Sequence, residues 1–90
     1  MKIFVISFAM LFPADGRLVS DVYAWHGKTL SFDSRAKCEA TLEQLGNAKK
    51  GQGNKVEFKW ENDELSFNRI GGDYLENVRS YYECSELNLD

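Results

Sequence analysis

Only one side chain in the chain, His26, titrates naturally near neutral pH, and it stands before Gly27 in a stretch that reads as a turn. Any Ser-His-Asp relay would have to be built around it, and no G-x-S-x-G elbow accompanies it. The spacings of H-E-x-x-H, G-x-G-x-x-G, the P-loop and the EF-hand are all absent. Asp63 and Glu64 form an adjacent carboxylate pair, but they fall at a hairpin tip. A general acid needs a cleft to shift its pKa, so this pair is expected to be merely solvated. Gly51-Gln52-Gly53 follows Lys49 and Lys50 without the strand-before, helix-after context of a phosphate cradle, and reads as a loop. A small enzyme or ligand carrier would need a pocket around His26 lined by Tyr23 and Trp25, and the polar groups do not converge there. The expectation is a non-enzyme with no catalytic residue, no metal and no cofactor.

Cys38 and Cys84 are the only cysteines, far apart and outside any C-x-x-C, which suggests neither a zinc site nor a thioredoxin-like motif. Joined, they would close a loop worth roughly 4 kcal/mol in the chain-entropy model. Unjoined, they would be two small apolar core residues. The sequence leaves both open.

Ninety residues make one domain, 1–90, able to bury about 60–65% of its unfolded surface. The charge bias is too small for disorder, and the aromatic content is enough to build a core. The net charge of −3 is uneven: from Glu61 to Asp90 eight acids face only Arg69 and Arg79, a local net of −6. Such a segment repels phosphate, so direct nucleic-acid binding is disfavoured. Trp25, Trp60, Tyr74, Tyr81 and Tyr82 are more large aromatics than one small core can hide completely. Those left at the surface beside the acidic segment would make a protein-binding patch, with aromatic anchors for energy and charge for steering. The candidate partner-binding residues are Tyr74, Glu76, Tyr81, Tyr82 and Glu83.

These residues must be positioned by the elements around them, and the first is Lys2 to Phe12, the most apolar run. It reads as a long strand buried on both faces or as the h-region of a signal peptide. A cut after Ala14 would place bulky Phe12 where a small residue is wanted, and Pro13-Ala14-Asp15-Gly16 makes a good turn, so the strand is favoured. Such a hairpin pairs Phe12 with Arg17, Met10 with Val19, Ile6 with Tyr23 and Phe4 with Trp25. Too few apolar residues precede Pro13 for a transmembrane helix. Asp33 or Ser34 caps a helix whose stripe is Cys38, Leu42 and Leu45, ending at Gly46 or after Lys49 and Lys50. Val56 to Ile70 is a hairpin turning at Asn62-Asp63, with Trp60 opposite Leu65 and Phe58 opposite Phe67. Asp73 with Glu76 resembles a capping box for a helix over 74–82, against a competing strand from Val78 to Leu87. Ser85 to Asp90 is expected to fray.

The fold expected is α+β: an antiparallel sheet from two β-hairpins, one central helix packed on it, and a C-terminal helix or fifth strand. The function expected is a small protein–protein interaction module that inhibits or modulates a partner. In size, acidity and lack of motifs the chain is similar to the accessory proteins that phages make against host machinery, anti-CRISPR inhibitors among them. That likeness is one of type and transfers no residue. It implies a cytoplasmic location, in a host cell if viral, and a protein partner, such as a nucleic-acid-binding complex. The expectation includes no direct nucleic-acid or membrane binding and leaves homodimerisation through a free hairpin edge open. The alternative is an exported disulfide-bonded structural or adaptor protein, periplasmic or secreted, with residues 1 to about 14 as signal peptide.

Overall fold

The computed structural model describes residues 1–13, 15–25, 27–70 and 78–89. Its centre is β1 (Lys2–Phe12), the strand-forming run of β-branched and aromatic residues at the start of the chain. A turn with Gly16 at φ 70 returns the chain as β2 (Arg17–Val22). Pairing runs from Phe12↔Arg17 to Ser7↔Val22, and the Tyr23 N–H donates to the Ile6 carbonyl at 2.7 Å, as the alternation of the two segments predicts. Beyond Tyr23 that register ends. Gly27, at φ 77, reverses the chain at once, so β3 (Ala24–Trp25) pairs with β4 (Lys28–Thr29) in a separate ribbon. Phe4 is therefore opposite Phe32 of β5 (Ser31–Phe32), not Trp25.

Helix α1 (Arg35–Gly51) begins where Ser34 caps it, its hydroxyl accepting from the Lys37 N–H at 3.2 Å. Asp33 and Lys37 form an exposed ion pair at 2.9 Å, and that hydrogen bond and charge lower the Asp33 pKa. The helix runs past Gly46 and stops after Lys49 and Lys50, two cations suited to its negative end. Gly46 faces the sheet so closely that an added Cβ would lie 2.4 Å from the Phe58 ring, which leaves no room for a side chain. Next, β6 (Lys55–Glu61) and β7 (Glu64–Ile70) form the expected hairpin, with Phe58↔Phe67 and Trp60↔Leu65 in register. Asn62 and Asp63 both take positive φ, 52° and 61°, the twist a two-residue hairpin turn requires.

The C-terminal segment corrects the expectation. Arg79–Asn88 is a strand, β8, and the proposed helix over 74–82 is not formed from Arg79 onward; residues 74–77 lie outside the described residues. The reason is pairing. β1 and β7 each carry an open edge, and β8 fills both, matching Lys2↔Asn88 through Leu11↔Arg79 on one side and Ser66↔Glu83 through Ile70↔Arg79 on the other. A helix there would leave two rows of backbone donors and acceptors unpaired beside the core. Ser80, Tyr82 and Cys84 then point inward with the period of a strand. From Ser85 to Leu89 the end does not fray either, Asp90 lying outside the described residues: the Leu89 N–H reaches the Met1 carbonyl at 2.6 Å, and Lys2 pairs with Glu86 at 3.4 Å.

The sheet order is β2-β1-β8-β7-β6, all antiparallel, with β5 completing the edge of β1. Helix α1 covers one face, where Ile6, Cys38, Leu42, Leu65, Phe67, Tyr82 and Cys84 form the core. Cys38 of α1 and Cys84 of β8 are joined by a disulfide that ties helix to sheet. Among the described residues no helix is long and apolar enough to cross a membrane.

Candidate functional site on the helix-free face

A strand sends consecutive side chains to opposite faces, which separates the predicted binding residues. Tyr82 faces α1 and is 5% exposed, stacked on Phe67 with ring centroids 4.6 Å apart. It is a core residue and not available to a partner. Burial pushes its phenol pKa up, opposed in part by the nearby Arg69. Tyr81 and Glu83 emerge together on the other face, where the Tyr81 hydroxyl donates to the Glu83 carboxylate at 3.2 Å. Tyr74 and Glu76 lie outside the described residues, as does His26.

Beside Tyr81 and Glu83 lies a cavity of about 160 Å³, lined also by Glu61, Glu64 and Ser66. Three carboxylates thus share its rim. Two are already engaged, Glu61 with the exposed Lys59 at 3.4 Å and Glu64 with Arg35, itself largely buried and bonded to the Cys84 carbonyl, at 3.6 Å. An exposed pair such as Glu61–Lys59 is worth little, which leaves its carboxylate open to a partner's cation. Among the described residues no cluster of three or more His, Cys, Asp or Glu side chains is placed to hold a metal.

The side chains flanking Tyr81 and Glu83 on this face are Ser7, Ala9, Ser66 and Asn68, and exposed apolar residues stand further along it. Leu11, Leu18, Ile70, Tyr81 and Leu87 are each at least 39% exposed. The register places all five on this one face: Leu11 opposite both Leu18 and Arg79, Ile70 opposite Arg79, Tyr81 between Ala9 and Asn68, Leu87 opposite Ile3. Nearer the middle, Val5 is buried and the Ser7 and Ser85 hydroxyls hydrogen-bond at 2.7 Å. The leucines were missed as site residues. The signal was present for Leu11 and Leu18, which the first hairpin's register already set opposite each other. Leu87 and Ile70 needed the pairing of β8.

On the helix side, Lys49 and Arg69 converge on Tyr82. The Lys49 amine sits 5.4 Å from the Tyr82 ring centroid, and burial, then the charge of Arg69, lower its pKa. Ser80 Oγ and Arg69 Nε are buried there without a hydrogen-bond partner among the described residues.

No family model matches the chain, and comparison with curated proteins and with solved structures returns no match.

Proposed function

We propose that the chain is a non-enzymatic protein-binding module that grips a basic surface of a partner and so blocks or modulates it. The observation that supports this reading is the hydrogen-bonded Tyr81–Glu83 pair beside a carboxylate-rimmed cavity, on a face that also exposes Leu11, Leu18 and Ile70. The aromatic anchor supplies energy, and the carboxylates select a lysine or arginine of the partner. An inhibitor of the phage anti-defence type, seated against the basic cleft of a nucleic-acid-handling complex, is the context this chemistry suits. A nucleic acid itself would be repelled by the same carboxylates.

The test is capture of the partner by the wild type and by the double variant Tyr81→Ala, Glu83→Ala. Both side chains stand at the surface, so the variant should melt within a few degrees of the wild type. Its affinity should fall by roughly thirtyfold or more, the effect of losing a hot spot. Unchanged capture by the folded variant would remove this face from consideration.

The Cys38–Cys84 bond supports a second reading, an exported structural or adaptor protein, because such bonds persist in oxidising compartments. With a signal peptide, that reading discards residues 1 to about 14 as a leader. Those residues include β1, the strand between β2 and β8, with Val5 and Ile6 at 1% and 0% exposure. Intact mass under non-reducing conditions separates the two readings, since a shortened chain with a closed bond would favour export.

A further inference from the structure

We infer that the free edge of β6 is a self-association site, through which two copies of the chain pair into one continuous sheet. Among the described residues the outer strands of the sheet are β6 on one side and β2 with the two-residue β5 on the other. The sequence of β6, Lys55-Val56-Glu57-Phe58-Lys59-Trp60-Glu61, has a charge pattern that inverts about its centre. Laid antiparallel against a second copy with Phe58 facing Phe58, it sets Lys55 against the second copy's Glu61 and Glu57 against its Lys59, each pair occurring twice. Alternating charge ordinarily protects an edge from stray strands, because most registers juxtapose like charges. This register alone, about the central phenylalanine, matches every one of them.

Hydrogen-bonding parity agrees with it. In the β6–β7 hairpin Glu61 faces Glu64 across a two-residue turn, the position of a hydrogen-bonded pair. The backbone groups of residues 55, 57, 59 and 61 are therefore spent on β7, and those of Val56, Phe58 and Trp60 point outward. The self-paired register joins Val56 to Trp60 and Phe58 to Phe58, so every outward donor meets an outward acceptor. The charged residues then occupy the non-hydrogen-bonded positions, where opposing side chains stand closer.

The side chains make the same point. Trp60 is 62% exposed, and it lies on the helix side of the edge strand. In the paired sheet it comes to rest over the second copy's Val56. Val56 helps to line a groove of about 520 Å³ with Lys50, Asn54, Lys55, Glu57, Asn68 and Ile70. A smaller groove, about 260 Å³, separates Phe58 and Trp60 from Asn47 and Lys50 of α1. A two-fold axis normal to the sheet puts both helices on one side, with the two tryptophans filling the channel between them. The outer strand on the other side, β2, is shorter and holds only Arg17 and Asp21 as charges.

Sedimentation of the full chain from micromolar to millimolar concentration tests this, with tryptophan emission recorded in parallel. The wild type should dimerise, with a blue shift as Trp60 leaves water. Lys59→Glu sets like charges opposite each other twice and should weaken the dimer at least tenfold, roughly the sum of two such reversals. The double swap Glu57→Lys, Lys59→Glu should restore it, and Trp60→Ala should lose both the dimer and the shift. Asp21→Arg, on the β2 edge, should change nothing. A wild type monomeric throughout the range overturns the proposal. So does a dimer that survives Lys59→Glu, or one that dissociates on Asp21→Arg.

Discussion

Replacing Phe67 with alanine is expected to destabilise the domain by about 3–5 kcal/mol, the largest effect of any single core truncation here. Phe67 is fully buried at the centre of β7, its ring stacked on Tyr82 at 4.6 Å and packed against Phe58 at 5.5 Å. It is also one of the two rings against which Gly46 brings α1 into close approach. Truncation would leave a void between helix and sheet that neither can close, because the Cys38–Cys84 bond fixes their separation. For a domain of this size, whose whole stability is on the order of 5–13 kcal/mol, that is a large fraction. Urea unfolding followed by fluorescence reads it. A loss below about 1 kcal/mol would mean that Phe67 does not sit where the β6–β7 register puts it.

Removing the disulfide is expected to have an effect of similar size. The bond spans 46 positions, which in the chain-entropy model corresponds to roughly 4 kcal/mol through restriction of the unfolded chain. The double variant Cys38→Ala, Cys84→Ala should unfold at much lower urea than the oxidised wild type. Reductant should shift the wild type toward the variant and leave the variant where it is. Cys38 and Cys84 are 0% and 6% exposed, so the reduced thiols would remain as core side chains and lessen the loss on reduction. An oxidised protein no more stable than the reduced one would contradict the role given to this bond. If the effect is as large as expected, the domain is robust only where thiols stay oxidised.

Much of the architecture was legible before the structure, and for physical reasons. Alternation over Val56 to Ile70, with a two-residue turn between the halves, fixes a register uniquely, because a slip by one residue would turn Phe58 and Phe67 to water. The same argument located the first hairpin as far as Tyr23, and the helix was marked by its cap at Ser34 and the Cys38–Leu42 stripe. What failed was non-local. By pattern alone Trp25 continues β2, because a local pattern does not register the reversal at Gly27. The segment from Arg79 onward presented helical and strand periods together, and the decision lay in the open edges of β1 and β7, which no local window contains. The candidate site suffered for the same reason. On a helix Tyr81, Tyr82 and Glu83 crowd one region; on a strand Tyr82 belongs to the core and only Tyr81 and Glu83 stay together.

The two-faced character of β8 is thus the claim on which the site rests, and selective tyrosine modification measures it directly. The native protein is treated with a mild nitrating reagent, and the modified positions are assigned by fragment mass spectra across the Tyr81-Tyr82 pair. Modification of Tyr81, with Tyr82 protected until the protein is unfolded in urea, is the predicted result. Equal modification of both, or preferential reaction at Tyr82, would contradict it and would return the C-terminal segment to a helix.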